Sequence, residues 1–230
     1  MTNETSAAST PRMRFREMMR NDILNAAREI LQAGGFSALS MRTLAEAVGV
    51  RAPTLYDYFA SKEDVLNALF LDAVGIIRTY FIDNLVETSP GIARLVSMGM
   101  TYRDFAVNNP VLFQLVFSRI DSSYVPGQEQ MEAAKALFDA LRAEVVTAVE
   151  QGQIISGDPD AIAVTLWANV HGLSTLQLDG HMAKCSTMSA DEIAAFSVSA
   201  ILNGLIPRSS ADAAAIPVPL PQAPAITIGE

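Results

Sequence analysis

The sequence predicts an all-α fold. Three observations carry that expectation. Apolar residues recur at helical spacing along most of the chain, no stretch alternates in the manner of a strand, and caps and prolines punctuate one segment after another. From Arg12 the pattern is helical, with Ile23, Leu24, Ala27, Ile30 and Leu31 forming an apolar stripe. Gly34-Gly35 stops this helix, and Phe36 and Leu39 begin the next core contact. Ser40 is placed to cap a helix starting at Met41. Ser61 and Asp64 form a capping pair that opens a long helix, Lys62 to about Val86.

Beyond Ser89-Pro90-Gly91, Asn109-Pro110 divides a helix over 91–108 from one over 110–119. A loop rich in Ser, Pro and Gly, Asp121 to Gln128, leads into a helix from Glu129 to Gln151. Asp158 caps a helix with Pro159 at its first position, running to about Leu178. Ser189 and Glu192 form a capping box for the last helix, which ends near Leu205 before Pro207. The total is about nine helices in four parts. These are a flexible tail (1–11), a head (12–60), a body (61–206) and a Pro/Ala-rich disordered tail (207–230).

With 230 residues the chain is long enough for one or two domains with a substantial core. Half of its residues are apolar, 18% are charged and the mean hydropathy is positive, which excludes a disordered protein. No uncharged run of about 18 residues suits a membrane span. One candidate, Ala213 to Gly229, is interrupted by Pro217, Pro219, Pro221 and Pro224. The first residues lack an apolar secretory core, so a cytoplasmic protein with no membrane partner is expected. The lone cysteine, Cys185, excludes an intramolecular disulfide framework and a Cys-rich metal site. His171 and His181 have no carboxylate cluster beside them, so neither a metal nor a cofactor is expected.

A net charge of −9 argues against a nucleic-acid partner until its distribution is read. Residues 12–62 carry eight basic and five acidic side chains, net +3, whereas residues 71–230 carry eight against 17. The split fits a phosphate-facing head on an acidic body.

The chemistry of the head is concentrated in Met41–Lys62, MRTLAEAVGVRAPTLYDYFASK. Leu44, Ala45 and Val48 share one face of a short helix, and Leu55 and Phe59 share one face of the next. The small Ala45 lets the helices cross closely, Gly49 supplies a left-handed turn, and Val50 plugs the corner. The outer surface is left to Arg42, Thr43, Arg51, Ala52, Pro53, Thr54, Tyr56 and Tyr58. Arg42 and Arg51 suit bidentate contacts to guanine or a clamp on phosphate. The hydroxyls of Thr43, Thr54, Tyr56 and Tyr58 suit phosphate oxygens, which set register. Ala52 and Pro53 suit a thymine methyl, and Lys62 with its helix N-terminus suits another phosphate. Arg12, Arg14, Arg16 and Arg20 have two readings: a solvated first turn, or a basic arm adding phosphate or minor-groove contacts.

Residues 20–70, which include ILNAAREILQAGGFSALSMRTLAEAVGVRAPTLYDYFASKEDVLNALF, resemble the N-terminal domain of TetR-family transcriptional regulators. The resemblance implies a helix-turn-helix in the second and third helices, and a homodimer that sets two recognition helices in successive major grooves. It implies recognition residues from Arg51 to Tyr58, supported by Arg42, Thr43 and Lys62. Family members often carry Ser or Thr where this chain has Arg51, so the recognition helix lacks a side-chain cap here.

The body is less specific. Trp167 and His171 lie four residues apart on one helix face. With Gly172 they resemble the Trp-x-x-x-His-Gly motif of one subgroup of TetR-like C-terminal domains. His171 is either a packing partner of Trp167 or a polar contact for a ligand. Pocket walls are expected from Met98, Tyr102, Phe105, Phe113, Phe117, Phe138 and Trp167, and a small, neutral, apolar or aromatic effector is favoured. The last two long helices, Ala161–Leu178 and Ile193–Leu205, are rich in small and apolar residues and are expected to form a four-helix homodimer interface. The leading reading is a one-component transcriptional regulator, a repressor bound to double-stranded operator DNA. The competing class is a helical small-molecule carrier or enzyme, for which no convergent catalytic set is present.

Overall fold

In a computed structural model, residues 10–118 and 124–207 are described, and every regular element among them is a helix. Thr10 caps α1 (Pro11–Ala38), accepting a hydrogen bond from the Met13 amide, with Pro11 at the first helical position. The helical path runs through Gly34 and kinks at Gly35, whose φ of +67° a side-chain-bearing residue adopts at a cost. The sequence placed the stop at this glycine pair. The helix resumes for one turn, carrying Phe36 into contact with the core.

Ser40 then opens α2 (Met41–Val48), a turn leads to α3 (Ala52–Tyr56), and Ser61 caps α4 (Lys62–Asn84). The body continues as α5 (Ile92–Asn108), α6 (Pro110–Phe117), α7 (Gln128–Glu150), α8 (Pro159–Leu178), α9 (Met182–Cys185) and α10 (Ala190–Leu205). Asp158 and Ser189 cap α8 and α10 as the sequence predicts, the latter through a capping box with Glu192. The described residues hold ten helices rather than nine. The additional one, α9, is a single turn with only Met182 buried, too short to show a period. The long helix α4 ends at Asn84, two residues before the predicted Val86. The predicted flexible tail overlaps α1 at Pro11; the rest of that tail before Thr10, the stretch 119–123 and everything after Pro207 lie outside the described residues.

One apolar core unites Ile23, Leu24, Ala27 and Leu31 of α1 with Leu44 and Ala45 of α2, Leu55 of α3, and Val65, Leu66, Leu69 and Phe70 of α4. It reaches into the body at Leu115 of α6. Two further cores lie in the body, one around Tyr102, Phe105 and Phe113 and one around Val145, Ala148 and Ile154. The helix α4 is long and apolar enough to cross a membrane by length and composition. Its apolar side, from Val65 to Ile77, is nonetheless spent inside the protein.

A buried cation ties the body together. Arg103 of α5 donates through Nε to Gln177 of α8 at 2.9 Å and pairs through Nη2 with Asp191 at the start of α10 at 2.6 Å. Burying a guanidinium is costly unless its donors are matched, and these partners match it across three helices.

Candidate nucleic-acid interface and ligand cavity

The corner between α2 and α3 is built by backbone chemistry. Gly49 adopts φ +73° and ψ +27°, and the amide of Val50 donates back to the Ala45 carbonyl at 3.0 Å, closing α2. At the other end of α2, Ser40 and Thr43 cap each other: the Thr43 amide donates to the Ser40 hydroxyl at 3.1 Å and the Ser40 amide to the Thr43 hydroxyl at 3.0 Å. The Thr43 hydroxyl donates in turn to the Ala38 carbonyl at 2.9 Å. This residue was assigned to the outer surface, and its hydroxyl is engaged within the fold.

Arg51 occupies the cap position of α3 with no side-chain capping bond, in keeping with the absence of Ser or Thr there. Arg42, Arg51, Ala52, Pro53, Thr54 and Tyr56 are all exposed, while Leu44, Ala45, Leu55 and Phe59 are buried beneath them. For these ten residues the outward and inward faces divide as the residue pattern predicts. Tyr58 and Lys62 are half-buried. Lys62 Nζ donates to the Phe36 carbonyl at 3.1 Å, fastening the start of α4 to the last turn of α1.

Two of the N-terminal arginines have a structural task that neither sequence reading contained. Arg16 donates to the Asp57 carbonyl at 3.0 Å and lies over the Tyr58 ring. Arg20 stacks on the Phe59 ring, with its guanidinium carbon 4.2 Å from the ring centre. They brace the exit of α3 against α1. Arg12 and Arg14 are exposed.

In the body, a cavity of about 900 Å³ opens among α4, α5, α7, α8 and α10. Val74, Ile77 and Phe81 wall it from α4 and Leu85 from just beyond that helix, Met98 and Tyr102 from α5, Leu137, Phe138 and Leu141 from α7, and Leu166, Trp167 and Val170 from α8. Phe117 of α6 and Ile201 of α10 complete it. Five predicted wall residues, Met98, Tyr102, Phe117, Phe138 and Trp167, line it. Three do not. Phe105 and Phe113 are fully buried in the packed core behind Tyr102, and His171 stacks on Phe113 there. Helical spacing places an aromatic on the inner side of a helix, but core and cavity share that side. The largest contribution that sequence reading missed is that of α4, whose apolar stripe looked like ordinary core.

His171 is bonded to the cavity wall through Tyr102, whose hydroxyl lies 2.9 Å from His171 Nδ1 and 3.1 Å from Trp167 Nε1. Burial pushes the imidazole pKa below its ordinary value and the Tyr102 phenol pKa upward. A folded-state histidine pKa below the unfolded value means that the unfolded chain binds more protons in the interval between them. Stability is then full above the unfolded value and falls as pH drops through it. Denaturant titrations at about pH 7.5 and about pH 5.5 are expected to show a lower midpoint at the acid end. In a His171→Leu protein that acid-side loss is expected to shrink.

Comparison with known proteins gives these two sites a common frame. Residues 23–69 match the family described as bacterial regulatory proteins, tetR family, and residues 95–201 match the tetracyclin repressor-like C-terminal domain. The chain belongs to the TetR family. UidR, an HTH-type transcriptional regulator of Escherichia coli (strain K12), is 36% identical over 78 residues, covering 30% of this chain and 40% of UidR. The class A tetracycline repressor protein from transposon 1721 of Escherichia coli is 28% identical over 122 residues, half of each chain. The chain thus spans two-fifths to half the length of these curated relatives. A structure from Rhodococcus sp. RHA1, of a protein with unknown function, superposes with a TM-score of 0.72 at 22% identity, covering 90% of this chain and 100% of that one. It shares the fold. The family is one of regulators, not enzymes, and both halves of this chain carry its pattern.

Proposed function

We propose that the chain is a cytoplasmic transcriptional repressor that binds a pseudo-palindromic operator in double-stranded DNA as a homodimer. It lets go when a small, largely apolar effector enters the body. The observation that carries this reading is the double membership of α4. Its first turns, Val65, Leu66 and Leu69, belong to the core beneath the helix-turn-helix, and its later turns, Val74, Ile77 and Phe81, wall the cavity. A molecule that prefers one placement of α4 biases the placement of the head, by no more than its difference in affinity for the two states. The name of the class A tetracycline repressor supports a repressing role.

Within the head, Arg51, Ala52 and Pro53 read base edges, with Arg42 at the flank, while Thr54 and Tyr56 hold phosphates. Thr43 and Tyr58 hold the edge of the same surface. In a dimer the two α3 helices enter half-sites about 34–36 Å apart. The dimer surface is supported by what α8 and α10 leave exposed: Val164, Ala168 and Leu176 on one, Ala195, Phe196 and Ala200 on the other. Of the apolar α10 residues, Ala194, Val198 and Leu202 face inward and complete the subunit's own core.

The test is a gel shift on fragments of the source genome at moderate salt. Retention of a small set sharing an inverted repeat is the expected result, and binding without sequence preference would favour the carrier reading. Lys62 gives a narrower test. If its ammonium serves a phosphate as well as the Phe36 carbonyl, Lys62→Ala lowers affinity for all sequences and reduces the salt slope by about one. An unchanged slope with a lower melting temperature assigns it to the fold alone.

A further inference from the structure

The polar chemistry of the cavity follows from three side chains in series. The indole Nε1–H of Trp167 is a donor and nothing else, so the Tyr102 oxygen 3.1 Å away accepts from it. That hydroxyl has one proton to place. Leaving it unpaired at an apolar wall is costly, and His171 Nδ1 lies 2.9 Å away. Tyr102 therefore donates to Nδ1, and His171 is the tautomer with its hydrogen on Nε2. Burial, which disfavours the charged imidazole, agrees with a neutral ring.

With its proton committed to His171, Tyr102 has only acceptor capacity left for anything in the cavity. Two of the other polar side chains on the wall have partners within the protein. Asn169 exchanges hydrogen bonds with Ser197, and Lys135 is paired with Asp139 at 2.6 Å. Arg78 is exposed to water. We propose that Tyr102, aimed by Trp167 and His171, is the recognition group of the cavity, and that it selects apolar molecules bearing one hydroxyl or N–H donor. This rests on the reading of the cavity as the effector site. Trp167 and His171, one turn apart on α8, are positioning residues: one lends Tyr102 a hydrogen and the other takes its own.

The chain's one tryptophan, Trp167, lines the cavity, so its fluorescence reports occupancy. The probes are para-butylphenol, para-butyltoluene, which replaces the hydroxyl by a methyl of similar size, and para-butylanisole, which only accepts. In Tyr102→Phe, para-butylphenol is expected to bind about tenfold more weakly while para-butyltoluene stays within about twofold. In His171→Leu the Tyr102 proton is released toward the cavity, and preference is expected to move from para-butylphenol to para-butylanisole. A merely structural tyrosine would shift all three probes alike, and that result, or binding of none of them, overturns the proposal.

Release of operator DNA is measured alongside. The expected probe pattern with the operator complex left intact upholds the role of Tyr102 and defeats the effector reading. Release by all three probes, unaltered in Tyr102→Phe, does the reverse.

Discussion

Phe196→Glu is expected to convert the proposed dimer to a monomer and to weaken operator binding by at least about a hundredfold. Phe196 is 70% exposed at the middle of α10, beside the small residues Ala195, Ser199 and Ala200. On the neighbouring α8, Val164 and Leu176 are also exposed. Burying one phenylalanine is worth about 1.5–3 kcal/mol, and a two-fold interface counts it twice. Glutamate reverses the sign, because each copy would place a carboxylate in an apolar contact. The loss of DNA affinity follows because a monomer engages one half-site and forfeits the effective concentration of the second. Light scattering coupled to size exclusion, with a gel shift on the same samples, checks both parts. A dimer of unchanged mass would place the interface elsewhere. The cavity-binding behaviour of the monomer should persist, since Phe196 does not line the cavity.

Leu55→Ala is the second large expectation. The helix α3, proposed above to read DNA, has five residues, far fewer than a helix needs to stand alone in water, so its order comes from packing. Leu55 is its one fully buried side chain, set against the shared core of α1, α2 and α4. Truncation to alanine costs about 2–5 kcal/mol at such a site. The expected outcome is loss of specific DNA binding with hydrogen exchange accelerated over α2 and α3. The amides of α8, packed in the body, should keep their protection. Equal acceleration throughout would mean that head and body unfold as one unit.

Much of the head was legible in the residues. Ser40, Gly49 and Ser61 act through local backbone geometry, and a local rule reads from a local string. The inward set Leu44, Ala45, Leu55 and Phe59 followed from helical spacing. Thr43 and Lys62 were assigned outward roles because a hydroxyl and an ammonium suit phosphate. In the fold the Thr43 hydroxyl completes the cap of α2, and Lys62 Nζ meets the Phe36 carbonyl, 26 residues earlier in the chain. Arg16 and Arg20 were read as solvated or DNA-bound for the same reason: their partners at Asp57, Tyr58 and Phe59 are distant in sequence.

The body was less legible. Trp167 and His171 stood out because a one-turn spacing is visible in a string, but Tyr102 joins them from a helix 65 residues earlier. Phe105 and Phe113 have the same spacing and chemistry as true wall residues. Only the arrangement of five helices separates the filled space behind Tyr102 from the open space in front of it.

The sequence by itself determined the all-α class, the helix boundaries to within about a turn, the helix-turn-helix and its two faces. These follow from periods, caps and turn residues that act over a few positions. Tertiary structure alone decided that α4 serves both head and cavity, that Arg103 joins α5 to α8 and α10, and that Tyr102 is held between an indole and an imidazole. Those features depend on which helices come together, and distances across helices are set by packing rather than by spacing along the chain.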